Sequence, residues 1–144
     1  TQKLLFGGSG HLPVTFPLTW IEWVDGVPVN LPGLVVTAVA VVHSPELPCF
    51  GVRLSCANRV LAFSGDTEWT DSLVRLSADA DLFVCECYGY EAAPPHHLDY
   101  LTLMRERPRL SCRRLLLTHM GDEMLRRAGT LEVETTSDGL RIVV

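Results

Sequence analysis

The sequence predicts an α/β domain, a mixed β-sheet with flanking helices, and three observations carry that prediction. Between positions 18 and 64, four apolar or alternating stretches are separated by Pro, Gly and Asn turns. After Asp66 the period lengthens, with Trp69, Leu73, Leu76 and Ala80 recurring at helical spacing. From there strand-like and helix-like segments alternate toward the C terminus, the order expected when helices pack on a sheet.

Taken in order, GGSGHLP (7–13) reads as a loop, and with no Gly-Lys-Ser/Thr behind it the loop is a poor phosphate cradle. LTWIEWV (18–24), LVVTAVAVVH (34–43), CFGVRLS (49–55) and RVLAFS (59–64) read as strands. Residues 68–79 are predicted to form an amphipathic helix capped by Thr67. DLFVCEC (81–87) is a buried strand, 97–107 a helix, RRLLLT (113–118) a strand and GDEMLRRA (121–128) a short helix. LEVETTSDGLRIVV reads as two strands joined at an Asp138-Gly139 turn. With no repeat, low-complexity tract or linker, residues 1–144 are expected to form a single domain, and because Thr1 enters what reads as the middle of a structural unit, a truncated one.

Composition narrows the function. Of 144 residues, 47% are apolar and 20% charged, enough for a real core and too apolar for a disordered tail. The longest apolar run, Leu34 to Val42, is interrupted by Thr37 and falls well short of the roughly 20 residues of a membrane span. A net charge of −5 and a pI near 5.4 argue against a domain that coats polyanions. Arg105, Arg107, Arg109, Arg113 and Arg114 are the local exception; they could meet a phosphate-rich ligand, although such clusters are more often a solvated face. Five cysteines in no obvious disulfide framework, with no secretory signal ahead of them, predict a reducing, cytoplasmic location. Cys85 and Cys87 share one face of a strand, which suits a metal pair or, more commonly in an apolar strand, two small buried hydrophobes.

Three apolar strands end in a group able to bind a metal: Val41-Val42-His43, Phe63-Ser64-Gly65-Asp66 and Leu117-Thr118-His119. Strand tips along one edge of a sheet share the crevice in which α/β proteins bind ligands. Singly, each is more often a boundary histidine or an Asx turn; together they favour a site. Imidazole and carboxylate both suit zinc, or manganese or iron of similar geometry, and one carboxylate can bridge two ions. CECYGYEAAPPHHLDY adds Glu86 on a strand and His97 after a Pro-rich loop. A carboxylate bonded to an imidazole fixes its tautomer and raises its pKa, as donation of a proton to a leaving alkoxide requires. The plainer readings are a salt bridge from Glu86 to an arginine and a solvated pair for His96 and His97.

The segments VVHSPELPCFGVRL, VLAFSGDTEWTDSL, FVCECY, HLDY and LLLTHM, in this order, resemble the C-terminal half of a metallo-β-lactamase-fold hydrolase, most closely the ribonuclease Z and phosphodiesterase branch. Cys85-Glu86-Cys87-Tyr88 stands where that branch carries His-Glu-Ala-Thr, with Cys85 in place of the first His and Glu86 retained. The His-x-His-x-Asp-His run that supplies most of the family's ligands does not occur in the 144 residues.

The resemblance implies the second half of an αββα sandwich and a hydrolase of phosphodiester or related ester bonds, with His43 a ligand of one metal, Asp66 the bridge and His119 a ligand of the other. It makes His97 the proton donor and Glu86 the residue that orients it. It implies two zinc ions in the full-length protein, with manganese or iron as substitutes, acting on a small-molecule or nucleic-acid phosphodiester. With the upstream run absent, this chain alone is expected to be nearly inactive, and to associate with the missing N-terminal half or with another copy. The alternative is a catalytically silent scaffold that keeps the fold to bind a partner.

Overall fold

The computed structural model describes residues 16, 17 and 19–144. Its centre is a seven-stranded sheet whose spatial order is the chain order: β1 (Pro28–Leu31), β2 (Leu34–Val41), β3 (Cys49–Cys56), β4 (Arg59–Phe63), β5 (Leu82–Glu86), β6 (Leu115–Thr118) and β7 (Glu134–Thr135). β1 to β4 form an antiparallel meander. β4 to β7 are parallel, and the crossovers carry α1 (Ser72–Ser77), α2 (Tyr100–Glu106) and α3 (Asp122–Arg127). The mixed sheet with flanking helices expected from the sequence is therefore present. Among the described residues no helix is long and apolar enough to cross a membrane.

The β-branched run of β2 pairs through seven residues with β3, from Val35↔Ser55 to Val41↔Cys49. Ala57 and Asn58, at φ 48° and 64°, close the two-residue turn to β4, a conformation suited to the twist of a tight hairpin. One face of the sheet presents Val39, Ala62, Phe83, Cys85, Leu115 and Leu117 to Leu73 and Leu76 of α1, Tyr100 and Leu103 of α2 and Met124 of α3. Burying each leucine there contributes about 1.5–3 kcal/mol. The opposite face carries Val52, Phe63 and Val84 side by side, and Phe63 is 39% exposed.

Several expectations are corrected. The loop expected at 7–13 lies outside the described residues. Residues 19–24 are not a strand, and the sheet begins instead at β1, which the sequence reading passed over. Beyond β1 the edge of β2 is occupied by a turn, because Asp25 Oδ1 accepts from Ala40 N–H at 2.8 Å and Gly26 N–H donates to Ala38 O at 2.8 Å. The helix expected at 68–79 is confined to 72–77, because the backbone ahead of it is drawn away: Thr67 N–H donates to Glu86 and Glu68 N–H to Val42 O. Thr67 is not its cap; its hydroxyl accepts from Val42 N–H at 3.1 Å and donates to Glu68 O at 2.8 Å. The helix expected from 97 begins at Tyr100, with Asp99 accepting from Thr102 N–H at 2.8 Å as its N-cap. At the C terminus the Asp138-Gly139 turn forms but the hairpin does not: β7 is two residues long, lies parallel to β6, and residues 140–144 are not a strand. Thr136 binds Leu117 O through both its N–H and its hydroxyl, which commits this segment to the edge of β6.

The arginine cluster is largely neutralised in place. Arg105 pairs with Glu106, Arg109 with Asp71 and Glu106, Arg113 with Asp81 and Arg114 with Glu134. That agrees with a solvated face.

Candidate metal centre

Parallel strands expose their carboxyl ends along one edge, and this chain uses that edge for its polar residues. His43 follows β2 by two positions, Asp66 follows β4 by three, Glu86 closes β5 and His119 follows β6 directly. At Gly65, φ is +63° and a Cβ would meet Phe50 O at 3.0 Å, so glycine lets the chain fold over β3 and bring Asp66 to the edge.

His43, Asp66 and His97 each offer a ligand atom, and the three atoms lie within 4.8 Å of one another. His119 joins them: its Nε2 is 3.6 Å from Asp66 Oδ2, and its ring stacks on His97 with centroids 5.2 Å apart. His43 and His97 meet edge to face at 4.9 Å. Tyr88 borders the group, with its ring centre 5.3 Å from that of His97 and 5.7 Å from that of His119. All four strand-tip and loop residues expected at the site thus converge. The tight three-atom cluster contains His97, which the sequence reading placed in acid–base chemistry.

Beneath them Glu86 is fully buried. Its carboxylate accepts from Thr67 N–H, from Leu98 N–H at 3.2 Å and from His97 Nδ1, which is 3.2 Å from both oxygens. Burial pushes its pKa up, and the hydrogen bonds from Thr67, Leu98 and His97 pull the other way. Neither the arginine salt bridge nor the solvated histidine pair describes Glu86 and His97. With the carboxylate accepting, Nδ1 of His97 carries the hydrogen and Nε2 is left for the site. His43 is fixed likewise, since its Nδ1 lies 3.1 Å from His96 O and a carbonyl can only accept.

Three participants escaped the sequence reading. Ser64, fully buried, takes Glu86 N–H on its hydroxyl at 2.8 Å and donates to Gly65 O at 2.6 Å. Thr67 ties the Asp66 loop to both Glu86 and Val42. His96 supplies the carbonyl for His43. Cys85 and Cys87 are buried in the hydrophobic core. Burial drives the Cys85 thiol far up and that of Cys87 up to about 12, as for small buried hydrophobes.

The donor set suits a metal ion. It offers imidazole and carboxylate, both good zinc ligands, and two of its imidazoles have their second nitrogen held by an acceptor, the arrangement that orients histidines toward a metal.

The chain is thus an α/β domain with a mixed sheet whose carboxyl edge gathers three histidines and an aspartate. Residues 8–120 match the model of the beta-lactamase superfamily domain, and the chain belongs to that family, with a metallo-β-lactamase fold. An uncharacterised protein of Mycobacterium leprae is 35% identical over 122 residues, covering 82% of this chain and 42% of that protein. The chain therefore spans less than half the length of this curated relative. The metallo-β-lactamase fold protein YhfI of Bacillus subtilis superposes with a TM-score of 0.64 at 22% identity, covering 81% of this chain and 51% of that one. The short form of human tRNase Z gives 0.60 at 24% identity, with 78% and 44% covered.

Proposed function

We propose that this chain carries part of the catalytic centre of a metal-dependent hydrolase acting on phosphodiester or related ester bonds. The observation that carries the reading is the meeting of His43, Asp66 and His97 within 4.8 Å, with His119 beside Asp66. In this reading His43, Asp66 and His119 hold metal, zinc or else manganese or iron, with two ions in the complete protein. When bound, zinc supplies Lewis acidity, polarising the phosphoryl oxygen and lowering the pKa of a coordinated water toward roughly 7. The protein's own part is orientation and proton transfer. Glu86 holds Nδ1 of His97, so the protonated ring donates from Nε2 to the departing oxygen. The likeness to the short form of human tRNase Z supports the reading of a phosphodiester substrate, small or nucleic acid. The five free cysteines support a reducing, cytoplasmic setting.

Membership of the three-atom cluster favours a second reading for His97, as a metal ligand. His97→Ala separates the two: a proton donor leaves metal content unchanged, and a ligand takes metal with it. The alternative reading is a catalytically silent scaffold that keeps the fold to bind a partner. Metal analysis of the intact natural protein, with hydrolysis of bis(p-nitrophenyl) phosphate by it and by Asp66→Ala, tests the proposal. Bound metal and hydrolysis lost together in the variant are expected; full activity without metal overturns it. An intact mass of 15.9 kDa for an inactive natural protein would favour the scaffold.

A further inference from the structure

One turn orients two of the site's imidazoles. His97 N–H donates to Pro94 O at 3.1 Å, closing Pro94-Pro95-His96-His97 into a β-turn, and His96 within it has φ +66°. Proline in the second place and a left-handed residue in the third is the pattern of a type II turn, whose third place usually holds glycine or asparagine. Histidine, with asparagine and aspartate, is among the non-glycine residues enriched in that region. The turn presents its third carbonyl to His43 Nδ1 at 3.1 Å and its fourth side chain to Glu86 at 3.2 Å. The His96 ring makes little of its own position. Its Nδ1 is buried and makes no hydrogen bond, standing 3.5 Å from Glu68 Oε2, while the side chain as a whole is 42% exposed.

We infer that His96 is a positioning residue that acts through its backbone. Its left-handed conformation aims the carbonyl at His43 Nδ1, and that bond selects the tautomer whose Nε2 is free for a metal. The inference rests on the proposed metal centre. It also says what position 96 requires: a residue content at positive φ, with the imidazole dispensable.

The test compares His96→Gly, His96→Asn, His96→Ala and His96→Val in the intact natural protein. Zinc dissociation constants are measured by competition with a chelator, and His43 tautomers by ¹⁵N NMR of the metal-free protein. Glycine and asparagine are expected to stay within about threefold of the native affinity. Alanine should weaken zinc about fivefold, because it lacks the tolerance of the left-handed region that histidine and asparagine share. Valine, branched at Cβ, should weaken it about 10- to 100-fold, the usual cost of losing a ligand's outer partner. Should the valine variant fail to fold, the order of glycine over alanine decides. Equal affinity in all four variants overturns the inference, as does a glycine variant as weak as valine, which would make the imidazole the acting group. His43 held as the Nδ1–H tautomer in native and glycine proteins but mixed in valine upholds the positioning role even if no zinc binds, in which case the metal reading alone falls. Zinc bound by a native protein whose metal-free His43 is already a mixture of tautomers overturns the positioning role alone.

Discussion

At the carboxyl ends of β4, β5 and β6, polar groups crowd together: three imidazoles and Asp66 lie within a few ångströms above the buried Glu86. At the amino ends of the same strands the charges form pairs of opposite sign, with Arg59 and Arg113 both on Asp81 and Arg114 on Glu134. Left-handed backbone does not follow this division: Ala57, Asn58 and Asp79 adopt it near the amino ends, and His96 and His119 at the carboxyl ends. One end is arranged as an ordinary surface. The other holds a buried carboxylate in place beneath its imidazoles, with hydrogen bonds from Thr67 N–H and Leu98 N–H to satisfy it.

Substitutions can break or sharpen that contrast. The largest effect is expected from Asp66→Ala, which should abolish metal binding and hydrolysis in the intact protein while leaving the metal-free thermal midpoint nearly unchanged; a large loss of midpoint would mean that Asp66 is structural. His97→Ala should lower hydrolysis by about 10²- to 10⁴-fold with metal content preserved. Glu86→Ala should cost about 2–5 kcal/mol in urea unfolding, because Thr67 N–H and Leu98 N–H lose their acceptor in the interior. A neutral result would remove the claim that the carboxylate organises the loops.

Asp81→Asn, at the opposite end, should produce the smallest change, and one that fades with added salt. The hydrogen bond from Val60 N–H, and then those from the arginines, hold the Asp81 carboxyl below the usual carboxylate range. Its folded pKa is the lower one, so its contribution is complete above the ordinary aspartate pKa and disappears as pH falls through the folded value. Native and Asp81→Asn midpoints should therefore converge in acid.

His43, Asp66 and His119 could be picked out because each follows an apolar strand, and the alternation of strand and helix placed those strand ends on one edge; His97 follows a Pro-rich loop and was picked out beside Glu86. What the sequence did not disclose is the supporting layer. Ser64, Thr67 and His96 act through a hydroxyl or a carbonyl toward partners 22, 25 and 53 positions away, and no local periodicity encodes such contacts. The boundary errors share this cause. Thr67 read as a helix cap because Ser and Thr commonly serve as caps, but tertiary hydrogen bonds drew it elsewhere. The apolar 18–24 stretch carried a strand pattern, yet Asp25 and Gly26 took the backbone groups it would have needed on β2. Short β1, opening on a proline, carried too little pattern to be seen.

Because the spatial order of the seven strands repeats their order in the chain, the sheet can grow by adding each new strand to the one just made, with no segment waiting for a distant partner. During vectorial synthesis the residues of the site would emerge from the ribosome one after another, His43, Asp66, the supporting Glu86, His97 and finally His119. A nascent chain halted before β6 would hold the first four without the last, so the gathering of these side chains waits on the translation of β6 and the residue that follows it.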